Sequence, residues 1–167
     1  MDLLEGIMTR RSVREFSERE VSGEELEKIL AASSRAPSGL NNQPWRFVIV
    51  RSASTRGQLA ALTRYGPIIR NASLCLAVFL DGNAVYHHVK DCQAIGACLQ
   101  NMLLAAHGLG LGGVWLGEIL KNGAEVRRLL EVGEDLELMA VLALGEPKGK
   151  GEETDRKRLQ ELVLKEW

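Results

Sequence analysis

Seven consecutive apolar residues, Leu74-Cys75-Leu76-Ala77-Val78-Phe79-Leu80, constrain the fold of this chain more than any other segment. The run is far short of the ~20 residues that a membrane helix needs, and it stops at the turn pair Asp81-Gly82. It reads as a β-strand with no polar face, so apolar groups must cover it on both sides. Residues 138–144 read the same way. Shorter strands are expected at Phe47-Val48-Ile49-Val50 and at Val114-Trp115-Leu116. The economical architecture is α+β, with a small mixed sheet packed between helices.

The helices are legible from spacing and end signals. Between residues 86 and 107, Val89, Cys92, Ile95, Gly96, Leu99, Met102, Leu103 and Ala106 keep the 3.6-residue period. Ala94, Cys98 and Leu104 widen that stripe beyond half the girth, as in a central or interfacial helix. Gly108 and Gly110 end it. Ser22-Gly23-Glu24-Glu25 is a capping box opening a helix with Leu26, Ile29 and Leu30 on its inner face, ending near Ala36 before Pro37. Leu3, Leu4 and Ile7 predict a short N-terminal helix, Ser54 a helix running to Leu62, and Asn122 another with Val126, Leu129 and Leu130. Residues 37–44 are turn chemistry. Residues 64–71 and 82–86 leave little room for inserted helices or a lid.

The length of 167 residues suggests one domain spanning 1–167. With 46% hydrophobic and 26% charged residues and a net charge of -1, nothing favours general nucleic-acid binding. Cys75, Cys92 and Cys98 show neither disulfide nor metal spacing and read as reduced, buried thiols. His87-His88 are adjacent, so their side chains diverge on a helix, and no metal site is expected. The N-terminus lacks a basic start and a long apolar stretch, which predicts a cytoplasmic protein without a membrane span.

Basic residues matter where they cluster. Arg10-Arg11-Ser12-Val13-Arg14 puts three guanidinium groups and a hydroxyl within five residues, a donor set suited to phosphate. Gly108-Leu109-Gly110-Leu111-Gly112-Gly113 satisfies the G-x-G-x-x-G spacing, but it follows a helix and precedes a strand. A dinucleotide fingerprint requires the reverse order, so these glycines are expected to end the helix and to allow close backbone approach.

Four ordered segments together resemble the nitroreductase family of FMN-dependent oxidoreductases. They are the Arg10 to Arg14 cluster with Phe16; Ala36-Pro37-Ser38-Gly39-Leu40-Asn41-Asn42-Gln43-Pro44-Trp45-Arg46-Phe47; the helix carrying Asp91 and Asn101 into Ala105-Ala106-His107-Gly108-Leu109-Gly110-Leu111-Gly112 with Trp115-Leu116-Gly117; and Gly145-Glu146-Pro147 with Arg156-Lys157-Arg158-Leu159. The resemblance spans essentially the whole chain.

It implies a three-layer α/β/α fold with a mixed, mainly antiparallel sheet, in a homodimer with swapped tails and FMN at the interface. It implies that Arg10, Arg11 and Ser12 hold the phosphate and ribityl chain, and that Arg14 lies by flavin N1 and O2, where a cation stabilises the reduced ring. Pro37, Ser38, Asn41 and Gln43 would come from the partner subunit. Leu116 and Gly117 would bring backbone amides to N5 and O4, and Arg156 and Lys157 would close over the phosphate. Trp45 and Trp115 are expected to pack. The implied activity is hydride transfer from NADH or NADPH through N5 to nitroaromatic, quinone or related small-molecule acceptors, by ping-pong kinetics and with no catalytic side chain beyond the flavin. The short connections suggest an open pocket. Specialised chemistry on the same fold (dehalogenation or dehydrogenation) and a flavin-binding carrier without turnover remain open.

Overall fold

In the computed structural model, which describes residues 2–149 and 151–167, the apolar run is the central strand of the sheet. Strand β1 is Trp45–Val50, β2 is Leu74–Asp81, β3 is Gly112–Leu116 and β4 is Leu136–Gly145. They form a four-stranded sheet in the order β1-β2-β4-β3. Every residue of β2 is buried, as its lack of a polar face demands. The sheet is mainly antiparallel, as expected: all three ladders are antiparallel. The parallel component among the described residues is a single bridge, Ser12 to Gly113.

The strand alternation sorts the core onto two faces. Leu74, Leu76, Val78 and Leu80 face the helices Gly23–Ser33 (α2) and His88–Gly108 (α5). Cys75, Ala77 and Phe79 face the opposite way, toward Ala53–Ala60 (α3), Gly66–Asn71 (α4) and Gly123–Leu129 (α6). This is the three-layer α/β/α arrangement. The register slips between Val78 and Phe79, so both Met139 and Ala140 turn toward α5 before alternation resumes. Each fully buried Leu, Ile or Phe stabilises such a core by about 1.5–3 kcal/mol.

Helix ends differ from the sequence expectations in ways local chemistry explains. The capping box at Ser22 forms, with Glu25 N donating to Ser22 Oγ at 3.1 Å and Ser22 N to Glu25 Oε2 at 2.8 Å. Helix α2 stops at Ser33 rather than Ala36, because residues 34–36 tighten into turns that lead to Pro37. Ser52, not Ser54, caps α3 through Thr55 N, and that helix ends at Ala60. Asn122 precedes α6 without capping it; its amide instead donates to Leu62 O at 2.7 Å. Helix α4 falls where no helix was expected, with a proline in its first turn. The long helix begins at His88 rather than residue 86.

Helix Leu3–Thr9 (α1) forms as its spacing predicts, yet none of its residues is buried. Leu3, Leu4 and Met8 are all more than 70% exposed. At the other end of the chain Leu159–Leu162 (α7) is followed by Leu164 and Trp167, also exposed. Trp45 packs in the core as expected, whereas Trp115 stands 41% exposed. Cys75 and Cys98 are buried thiols, but Cys92 is only half-buried. Burial pushes the Cys75 thiol up to about 12 and that of Cys98 to about 11, so both stay protonated and inert. No helix among the described residues is long and apolar enough to cross a membrane, and no group of His, Cys, Asp or Glu among them is assembled to hold a metal ion.

Candidate functional site

After α1 the chain runs extended along the free edge of β3. Val13 N donates to Gly113 O at 3.0 Å, and Phe16 bridges Pro147 at the end of β4. The strap is tied down again by Ser17 N on Glu146 O at 2.8 Å. Its close approach requires glycines: a Cβ on Gly112 would lie 2.6 Å from Val13 Cβ, and one on Gly145 would lie 2.9 Å from the Phe16 ring. Gly110, at φ +77°, closes the end of α5. The glycine run thus ends a helix and admits the strap, as its inverted context predicted. Glu146 accepts from Ser17 Oγ at 2.6 Å and from Arg19 Nε at 3.0 Å, and these bonds hold its carboxyl below the usual range. The first, third and fourth sequence segments therefore meet at one edge of the sheet.

The strap borders a cavity of about 800 Å³ whose polar lining includes Thr9, Arg10, Arg11 and His107. Arg10 Nε is buried without a hydrogen-bond partner. Its guanidinium pKa is lowered by desolvation first, then by the charges of Arg156 and Arg11. A desolvated cation repelled by two others is the electrostatic signature of a site that takes an anion. Arg11 is engaged by Met8 O at 2.8 Å and by Glu153 at 2.9 Å. Arg156 bonds carbonyls of its own tail, at Thr154 and Asp155, while Lys157 is exposed.

A second cavity of about 420 Å³ is lined by Ser12 and by Arg14, which is exposed. The parallel register carries Arg14 toward the end of β3, where Leu116 is buried and Gly117 exposed. A Cβ on Gly117 would meet nothing within 4 Å, so that backbone faces open space. Thr9 Oγ1 donates to Glu5 O at 2.7 Å and lies 2.9 Å from His107 Nε2, which makes the imidazole nitrogen the donor in that pair.

The loop of residues 37–44 lies elsewhere. Pro37, Asn41 and Gln43 are exposed and Ser38 is half-buried. Leu40, Asn41 and Gln43 have φ of 55°, 55° and 46°, a concentration of left-handed backbone in non-glycine residues. Each such residue costs on the order of 1 kcal/mol or more and persists only where surroundings enforce it. Ser38 Oγ accepts from Gln43 N at 3.1 Å, and Gln43 Nε2 donates to Asn41 O at 3.2 Å. Arg46 Nη1 adds a bond to Gln43 O at 3.2 Å. The main anchor is a pair the sequence did not single out. Asn42 Nδ2 donates to Ala84 O at 3.0 Å and to Asp91 Oδ1 at 2.7 Å. Asp91 Oδ2 also accepts from Tyr86 N at 3.1 Å and His87 N at 3.0 Å. Burial raises the pKa of the Asp91 carboxyl, but the bonds from His87, Asn42 and Tyr86 outweigh it and leave it lowered.

Helix α5 separates the two groups. The loop is moored at Asp91, and Thr9, where α1 leads into the strap, lies at His107; at about 1.5 Å per residue that stretch of helix is about 24 Å long. One chain therefore keeps the cationic strap and the strained loop apart. Thr9, His107, Asn42 and Asp91 were missed because their roles depend on contacts between distant segments.

Known proteins resemble this chain along most of its length. The sequence profile of the Nitroreductase family matches residues 7–67 and 58–146. A relative from Archaeoglobus fulgidus that carries the name NADH dehydrogenase/NAD(P)H nitroreductase is 37% identical over 150 residues, covering 88% of this chain and 86% of that protein. An NADPH-flavin oxidoreductase of Vibrio harveyi is 30% identical over 156 residues, covering 86% of this chain and 65% of its own. A crystal structure from Desulfovibrio desulfuricans, named as a nitroreductase in complex with FMN, superposes with a TM-score of 0.95 at 47% identity, covering 99% of this chain and 97% of that one. The chain belongs to the nitroreductase family.

Proposed function

We propose that this flavin oxidoreductase holds FMN between two copies of the chain and uses NADH or NADPH to reduce nitroaromatic, quinone or related acceptors. The observation that carries the reading is the buried, unpartnered Arg10 Nε inside a cluster of mutually repelling cations. The residues present fit the group. A phosphate monoester brings about two negative charges and several acceptor oxygens, which answer both the orphaned donor and the repulsion. When bound, FMN supplies a nitrogen that takes hydride from the nicotinamide and gives it up to an acceptor once the nicotinamide has left, a ping-pong scheme.

The chain supplies binding, orientation and charge. Arg10, Arg11 and Ser12 would hold the phosphate and ribityl chain, joined by Arg156 and Lys157 once the tail closes. Arg14 would place a permanent cation at the pyrimidine edge, where it favours the reduced ring. The Leu116 and Gly117 backbone would face the reacting edge, where Gly117 has the space for close approach. The separation along α5 supports a two-chain site: Pro37, Ser38, Asn41 and Gln43 would cover the flavin held by the partner. The exposed apolar residues of α1 and the tail supply surface for such a dimer.

Anaerobic addition of NADH or NADPH to the FMN-loaded protein tests the reading. Bleaching of the visible flavin band by either is expected. Failure of both would leave a flavin carrier, and failure to take up FMN would overturn the site itself.

A further inference from the structure

Three side chains beside the strained loop have no part in the scheme above. Tyr86 lies against the loop so closely that a Cβ on Gly39 would collide with its hydroxyl. Its ring is 41% exposed. Lys90 Nζ stands 5.5 Å from the centre of that ring, and the His87 ring is tilted against it at 6.5 Å between centroids. Among the described residues Lys90 has no carboxylate partner. The nearby acids are already engaged: Asp91 by the Asn42 amide and two backbone amides, Glu137 by His88 at 3.0 Å, and Asp81 by Arg46 at 2.6 Å. The cluster therefore presents an aromatic face and an uncompensated ammonium, with the His87 imidazole beside them.

Its position is fixed relative to the loop. Asp91 accepts from the backbone of Tyr86 and His87 with one oxygen and from Asn42 with the other. The loop and the backbone of Tyr86 and His87 are thus tied to one buried carboxylate. Tyr86 stands directly beside the loop at Gly39, with Lys90 Nζ over its ring.

We propose that Tyr86, His87 and Lys90 form the acceptor-recognition wall of the flavin site, and that it selects aromatic acceptors carrying a negative charge, such as aromatic carboxylates. The inference rests on the flavin reading, because it needs the loop to cover the partner's flavin. The Tyr86 ring offers a stacking face, and Lys90 pairs with a carboxylate at the far edge of the bound aromatic. Selection by an exposed ammonium is modest and screened by salt, on the order of fivefold in affinity at low ionic strength.

Equilibrium binding separates this inference from the activity it supports. Benzoate and benzamide share size and shape and are not reducible by a flavin, so calorimetric titration of the oxidised, FMN-loaded protein reads recognition alone. Benzoate is expected to bind about fivefold more tightly than benzamide. Lys90→Met should abolish that preference and Lys90→Glu should reverse it, with benzamide affinity unchanged within twofold. Tyr86→Leu should weaken both ligands. Equal affinities in the wild-type protein, or a benzoate preference that survives Lys90→Glu, would overturn the wall. A protein that prefers benzoate through Lys90 yet is not bleached by NADH or NADPH would keep this inference and lose the reductase reading. A protein that takes up no FMN would lose both.

Discussion

Arg10 is the residue on which the proposed site rests. Its Nε is buried and unpartnered beside two cationic neighbours, a cost that a bound anion would relieve, so ligand binding and folding are expected to be linked. Replacing Arg10 and Ser12 together by alanine is expected to weaken FMN binding by several kcal/mol, about 3 if the contacts are desolvated, while raising the stability of the ligand-free protein or leaving it unchanged. Fluorescence titration with FMN and thermal unfolding of the apoprotein check both halves. Gly112 makes a second residue-scale case. Gly112→Ala would drive a methyl group into Val13, and loosening the strap is expected to cost about 1–3 kcal/mol and to lower FMN affinity in parallel. Wild-type FMN affinity in that variant would separate the strap from the site.

Among the elements, the acid sensitivity of helix and loop ends follows from their carboxylates. The Arg19 side chain, with the backbone amide of Ser22, lowers Glu25 at the start of α2 to about 2. Lys121 and Thr63 do the same for Glu118 after β3, again to about 2. A carboxyl with a depressed folded-state pKa contributes stability above its ordinary value of 4.5 and loses it as the pH falls toward 2. Denaturant midpoints are therefore expected to hold steady near neutrality and to fall between about pH 4.5 and 2. The Glu25→Gln and Glu118→Gln double variant should start lower and fall less steeply over that range. Ser22→Ala, which removes the cap, should cost about 1 kcal/mol at neutral pH. An unchanged pH slope in the double variant would shift the acid sensitivity to Asp91.

At the scale of the molecule, strap and loop belong to different ends of α5, a separation that favours a site shared by two chains. A dimer holding two FMN molecules is the expected assembly, measured by sedimentation with absorbance at the flavin wavelength. A monomeric mass at micromolar concentration with FMN bound would contradict it. If the contacts that pair the chains also complete the site, removing the exposed apolar tail from Leu159 onward should shift the assembly toward monomer and release flavin together. Retention of FMN by a monomeric truncation would show that one chain suffices.

The local code determined a good deal by itself. Seven apolar residues in a row, bounded by a turn pair, read as a strand covered on both faces, so a sheet packed between helices was legible from β2. The capping box, the 3.6-residue stripe of α5 and the inverted glycine run each act through neighbours within a few residues, and all were readable. The helix at residues 66–71 was not, because six residues with a proline and a glycine carry little periodicity, and packing of Ile69 decides it. Nor was Asp91, whose acid would suit any solvent-facing helix position until Asn42, Tyr86 and His87 arrive to bond it. The left-handed loop and the orphaned Arg10 donor belong to the same class. They are costs that a sequence does not display, since only tertiary contacts create them and only tertiary contacts can hold them in place.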